Sequence, residues 1–341
     1  MMASSSSSPS PRPSRRLLPV LAVAAAVLLL GPGGGVEARQ PPPLHGVRPM
    51  AFGEGYTQIF GSANLALRGE GRRVHLSLDE ATGAGFASQD LFLHGFFSAA
   101  VKLPADYAAG VVVAFYLTNG DRYEKTHDEL DFEFLGNVRG REWRVQTNVY
   151  GNGSTGAGRE ERYDLPFDPT DDFHHYSILW TKHRIIFYVD ETPIREVART
   201  EAMGAAFPSK PMSLYATIWD GSAWATLGGR YRVDYKYAPF VAQFGDLVMQ
   251  GCPVSSNPAA AAAPSCGTPW FEAAASLSGE QRRAMAAFRH GHMSYSYCHD
   301  RRRYPVALSE CDAARLRRLF GPDGMKYGRR GARGRRSDVV M

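Results

Sequence analysis

Several things are scarce in this sequence. Cysteine is one: four of 341 residues, Cys252, Cys266, Cys298 and Cys311, all in the last third. Disulfides therefore cannot hold the first 250 residues together, and no C-x-x-C pair points to a zinc site. Long apolar runs are also missing. Leu17–Leu30 has 14 residues, too short to span a bilayer comfortably, and a Gly/Pro break at 31–35 follows it. Arg12, Arg15 and Arg16 precede that run and Val36-Glu37-Ala38 follows, so residues 1–38 are expected to be a secretory signal peptide and not an anchor. No long amphipathic helical period appears before Leu277, and no internal repeat is visible, which excludes helical bundles and solenoids.

Positive charge is scarce where a folded surface would need it. The formal net charge of +5 comes from the ends. The first 38 residues carry three arginines against one glutamate, and residues 321–341 carry six cations against two aspartates. The body between them is close to neutral, about −1. Nucleic-acid binding needs a clustered basic face, so it is disfavoured, and a neutral substrate fits better. The final Gly/Arg-rich stretch, 321–341, is expected to be a disordered basic tail.

What is present is a series of short β-branched and aromatic runs. Val74–Leu78, Gly110–Leu117, Trp143–Tyr150, Tyr176–Thr181, Ile185–Val189 and Met212–Trp219 are separated by Gly, Pro, Asn and Asp clusters. This pattern predicts an all-β, antiparallel sandwich or jelly roll. A helix is expected over Ser278–Arg289, with Ser278 as its cap and Gln281 three positions on. Domain boundaries are placed at 39–245 for the β domain and 246–320 for a small extension. Behind a signal peptide, an even cysteine count predicts disulfides, with three possible pairings. Neighbour pairing, Cys252 with Cys266 and Cys298 with Cys311, closes two short loops, each worth about 3 kcal/mol. His290, His292 and His299 near Cys298 match no metal-ligand spacing, and no metal or cofactor is expected.

The chemistry is expected on His127-Asp128-Glu129-Leu130-Asp131-Phe132-Glu133-Phe134. On a strand, alternate side chains share a face, so Glu129, Asp131 and Glu133 lie together and Leu130, Phe132 and Phe134 point into a core. His127 is expected to open the strand on the acidic face. Crowded carboxylates raise one another's pKa, a cost that stability does not explain and glycoside hydrolysis does. Glu129 and Glu133 have Cα atoms about 13 Å apart on an extended strand. If both side chains lean inward, the gap falls to roughly 5–6 Å, in the range for retention. A solvated outer face would show the same alternation, and a calcium site would need a loop.

The string HDELDFEFLG resembles the signature of the xyloglucan endotransglucosylase/hydrolases, plant cell-wall enzymes of glycoside hydrolase family 16. Matching stretches continue through Gln146-Thr147-Asn148-Val149, Phe167-Asp168-Pro169, Lys210-Pro211-Met212, Trp224-Ala225-Thr226, Tyr297-Cys298 and Arg303-Tyr304-Pro305. The resemblance runs from about Phe52 to Cys311 and implies a β-jelly roll with a concave glucan-binding cleft and a disulfide-bonded C-terminal extension. It implies Glu129 as nucleophile, Glu133 as acid/base and Asp131 as the assisting residue. Gln146, Thr147, Asn148, Arg159, Glu160, Trp224, Gly228 and Arg303 are the implied glucan contacts; a neutral polysaccharide also needs aromatic platforms, which points to Trp219 and Trp224, with core packing the alternative for Trp219. Trp180 is expected in the core. The implied protein is a secreted, monomeric wall enzyme working on xyloglucan donor and acceptor chains, by transfer or, alternatively, by hydrolysis of xyloglucan or mixed-linkage glucan. The family's usual glycosylation sequon after the signature is replaced by Asn137-Val138-Arg139, and the usable one is Asn152-Gly153-Ser154.

Overall fold

The computed structural model describes residues 47–254, 270–311 and 319–327. Their strands are β1 (Tyr56–Phe60), β2 (Leu65–Arg68), β3 (Arg73–Leu78), β4 (Ala84–Ser88), β5 (Leu91–Lys102), β6 (Val111–Thr118), β7 (Glu129–Leu135) and β8 (Arg144–Tyr150). They continue as β9 (Glu161–Asp164), β10 (His174–Trp180), β11 (Arg184–Val189), β12 (Thr192–Ala198), β13 (Ser213–Asp220), β14 (Phe240–Val254), β15 (Met293–Asp300) and β16 (Asp323–Met325). Two antiparallel sheets result, in a jelly-roll sandwich. One has nine strands in the order β1-β4-β13-β6-β7-β8-β9-β15-β16, the other seven in the order β12-β11-β10-β5-β14-β3-β2.

The sheets pack because each strand's alternation gives it one apolar face. On β7, Phe132 and Phe134 are fully buried and meet the opposite sheet. Phe132 lies 5.2 Å from Phe187 and 5.6 Å from Tyr176, and Phe134 lies 4.5 Å from Tyr176, all edge-on. Removing either ring would open a cavity at the centre of the sandwich. Trp180 is in this core as expected, with its indole N–H donating to the Pro208 carbonyl.

The six expected strand runs correspond to β3, β6, β8, β10, β11 and β13. β5 and β14, the longest strands, were not among them, although they pair along most of their length. The boundary expected between 245 and 246 falls inside β14, whose ladder with β5 runs on to Val254. The expected strand also starts two residues late: His127 and Asp128 precede β7.

The C-terminal extension completes the nine-stranded sheet, because β15 pairs with β9 and β16 with β15. Residues 321–327, expected in a disordered tail, therefore include an ordered strand, while 328–341 lie outside the described residues. Two helices precede β15: α1 (Phe52–Gly55) aside, these are α2 (Trp270–Ala274) and α3 (Gly279–His292). Ser278 caps α3 as expected. Its hydroxyl accepts from the Gln281 N–H, and Gln281 returns a bond to the Ser278 N–H. The helix runs three residues past the expected end. Phe288 seats it against Tyr163 of β9. Cys298 and Cys311 are disulfide-bonded. Cys252 is not free, but Cys266 lies outside the described residues, and so does the expected pairing between them.

Candidate active site

β7 lies in the middle of the nine-stranded sheet, and its acidic face looks away from the core into a cleft of about 470 Å³. Glu129, Asp131 and Glu133 line the floor together, as their spacing requires. Strand register supplies the rest. Tyr116 of β6 lies opposite Asp131, and Ala114 opposite Glu133. Gln146, Asn148 and Tyr150 of β8 lie opposite Glu133, Asp131 and Glu129. Thr217, Trp219 and Trp224 form one end, and Glu160 and Arg162 the other. Trp219 is 36% exposed, with its ring 6.1 Å from Trp224. Exposed aromatic faces of this kind bind the apolar faces of sugar rings.

Burial raises all three carboxyls, because taking a carboxylate out of water disfavours its charge. Glu129 is raised by burial, against the Thr118 hydroxyl and His127, which favour its ionised form. Asp131 is raised well above the usual range by burial and by the charges of Glu129 and Glu133. Glu133 is pushed up to about 7 by burial, with the Gln146 hydrogen bond opposing the rise and the Glu129 charge adding to it. The site therefore holds Glu133, which keeps its proton near neutrality, beside Glu129, whose rise is opposed by the Thr118 hydroxyl and His127.

A chain of hydrogen bonds fixes Glu133. The Gln146 amide donates to the Glu133 carboxylate at 2.5 Å, and Arg162 Nε donates to the Gln146 carbonyl at 2.7 Å. Arg162 in turn lies over the Tyr295 ring of β15. The Arg–amide bond orients Gln146 so that its N–H₂, and not its carbonyl, faces the carboxylate.

The segment Arg159-Glu160-Glu161-Arg162 alternates between cleft and interior, and the extension holds it from both sides. On the cleft side, Arg303 bonds Glu160 at 2.5 Å, and Gly158 leaves room for the pair: a Cβ there would lie 2.8 Å from the Glu160 carboxylate. On the buried side, Arg159 pairs with Glu310 at 2.5 Å. Glu161 takes a bidentate contact from Arg289 of α3 at 2.6 and 2.7 Å. The Glu161 charge is opposed by burial, but Arg289 and Arg195 outweigh this and hold its carboxyl at about 2. Arg195 is fully buried and donates to Thr147 Oγ1 at 2.8 Å and to the Arg159 carbonyl at 2.6 Å.

The remaining expected contacts are placed as follows. Gln146, Asn148, Glu160, Trp219 and Trp224 line the cleft, and Arg303 reaches it through Glu160. Thr147 points into the sandwich toward Arg195, because it lies between two cleft-facing neighbours on one strand. Arg159 is buried against Glu310, and its backbone N–H faces Asn148, whose side-chain amide oxygen accepts from it at 2.8 Å. Gly228 sits at a left-handed position in the turn bridged by Thr226 and Tyr231, outside the cleft lining. His127 stands beside Tyr150, its ring 6.5 Å away, and not on β7. Asp128, buried, organises the loops: it accepts from the backbone N–H groups of Asn152, Ser209 and Lys210 at 2.8 Å each. Arg162, Tyr116, Tyr150 and Thr217 were not expected, and only strand pairing reveals them.

The chain is similar to proteins of one family along most of its length. The family model for glycosyl hydrolases family 16 matches residues 52–237, and that for the xyloglucan endo-transglycosylase C-terminus matches 265–311. The chain is 60% identical over 284 residues to "Probable xyloglucan endotransglucosylase/hydrolase protein 28" of Arabidopsis thaliana, covering 82% of this chain and 85% of that protein. It is 43% identical over 265 residues to xyloglucan endotransglucosylase/hydrolase protein 2 of the same plant, covering 76% and 88%. A Bacillus licheniformis β-glucanase structure aligns over 58% of this chain and 92% of its own, at 23% identity and a TM-score of 0.47.

Proposed function

We infer the reaction from a membership that is itself plain: the chain belongs to glycosyl hydrolases family 16, among its xyloglucan endotransglucosylase/hydrolases. The protein is a xyloglucan endotransglucosylase. It cleaves an internal β-1,4-glucan linkage with retention and passes the glycosyl group to a xyloglucan chain end. The observation that carries the chemistry is the pair Glu129 and Glu133 on one strand face in one cleft, with Glu133 lifted to about 7.

In the first step, a Glu129 carboxylate oxygen bonds the anomeric carbon as the glycosidic C–O bond breaks. Glu133 gives its proton to the departing oxygen. In the second, an acceptor hydroxyl gives its proton to Glu133 and its oxygen bonds the anomeric carbon, releasing Glu129. Asp131, between them, is itself pushed toward its protonated form by burial and by the charges of Glu129 and Glu133, so its carboxyl is suited to donate a hydrogen bond to one of them. Gln146 draws the Glu133 carboxylate toward β8, so the departing chain lies over β8, β9 and the extension. The donor lies over β6 and β13. Transfer outruns hydrolysis when an acceptor sugar fills the leaving side, and Arg162, Glu160 and Arg303 supply polar groups there. Replacing Glu129 by Ala should abolish activity; full activity in that variant would overturn the assignment.

The same reading places the protein in the plant wall as a monomer after loss of residues 1–38. Asn152, exposed at the turn after β8, carries an N-linked glycan. A mass of secreted protein unchanged by glycosidase treatment would contradict that glycan.

A further inference from the structure

The cleft face does not end at Trp219. Beyond β13 the sheet continues through β4 to the edge strand β1, and β1 is irregular there. Tyr56, Thr57 and Gln58 pair regularly with Ser88, Ala87 and Phe86. The register then slips, and Phe60 pairs with Gly85. Ile59 is the extra residue. A bulge of this kind re-aims the side chain that follows it.

Gly85 identifies the face onto which Phe60 is turned. Its neighbour Phe86 is fully buried in the core, so Gly85 presents the opposite face. A Cβ on Gly85 would lie 2.5 Å from the Phe60 ring and 3.0 Å from the Thr217 methyl. Thr217 lines the catalytic cleft and pairs directly with Gly85. The Phe60 ring therefore lies down over the glycine, next to a cleft residue, where any larger side chain would push it off the sheet. It stays 40% exposed. An edge strand gains nothing in solubility from an exposed ring held in place this way.

We propose that Phe60, laid over Gly85 beside Thr217, is a sugar-binding platform that extends the cleft and holds a distal unit of the donor glucan. The proposal rests on the functional reading above. Four strand steps separate β7 from β1, roughly 19 Å at about 4.8 Å per step. A β-glucan crossing the strands places several sugar units between the cleaved bond and the platform. Long donors reach it and short ones do not.

The test compares kcat/KM for polymeric xyloglucan with kcat/KM for short xyloglucan oligosaccharide donors, in the full chain and in Phe60→Ala. Stacking on one ring predicts that the polymer-to-short ratio falls about three- to tenfold. Phe60→Trp should keep or raise the ratio. Phe60→Leu, which keeps apolar bulk without a ring face, should lower it, and serves if Phe60→Ala fails to fold. An active parent whose ratio is unchanged in both ring-free variants overturns the platform alone. A parent inactive on every xyloglucan donor overturns the functional reading and the platform with it.

Discussion

Gln146 and Glu133 face each other across the β7–β8 ladder, the amide donating to the carboxylate at 2.5 Å. A hydrogen bond to the ionised form lowers a carboxyl pKa, so this contact restrains a rise that burial would otherwise take above 7. In the proposed mechanism Glu133 must be protonated to act on the leaving oxygen. In the parent, kcat/KM should fall as pH rises through about 7. Gln146→Ala and Arg162→Leu each remove a group that favours the carboxylate, so the basic limb should move to higher pH. The maximal rate should drop about ten- to hundredfold as the acid loses its fixed orientation. Arg162→Lys should restore part of the rate. A pH–rate profile with an unmoved limb in both Gln146→Ala and Arg162→Leu would contradict the relay.

In the proposed mechanism, Glu133→Ala removes the proton donor while leaving the nucleophile. The expected loss on xyloglucan is about 10²- to 10⁴-fold. The loss should be far smaller on an aryl glycoside, whose leaving group departs without protonation. Steady-state rates on the two substrates check this, and equal losses would remove Glu133 from the acid role.

Glu161 should matter for stability and not for the chemical step. Its carboxyl is held at about 2 in the folded protein, below its unfolded value. The sign follows: the stabilisation is fully present above the unfolded pKa and fades as pH falls toward 2. Glu161→Gln leaves Arg195 and Arg289 facing a neutral side chain and should cost about 3–5 kcal/mol near pH 7. Denaturant unfolding from pH 7 to pH 2 measures both effects. The variant should lack the part of the acid destabilisation that Glu161 supplies.

The loop closed by Cys298 and Cys311 contains both Arg303 and Glu310, the residues that hold Glu160 and Arg159. Cys311→Ser should cost about 3 kcal/mol, from the loop-entropy model. It should also raise the acceptor KM more than it changes the chemistry, because the leaving side of the cleft loosens first. Calorimetry and acceptor titration separate the two effects.

The carboxylate stripe was legible because strand alternation is a local rule, and so was the α3 cap, because a capping box spans four residues. β5 was missed because a strand buried on both faces loses the alternation that marks a half-exposed strand: Phe96 and Phe97 are both buried, on opposite faces. Arg162 and Tyr116 reach the site only through register, which pairs residues far apart in sequence. Thr147 and Arg159 were expected at the glucan only from the resemblance to the family. The same alternation that places Gln146, Asn148 and Glu160 on the cleft sends those two to the other side, toward Arg195 and Glu310.

The most direct test of the central claim is incubation of the protein with high-mass xyloglucan and a labelled xyloglucan oligosaccharide. The account predicts label in polymeric product with few new reducing ends, and no label with Glu129→Ala. Reducing ends that accumulate with each cleavage, without incorporated label, would contradict transfer and make the protein a hydrolase.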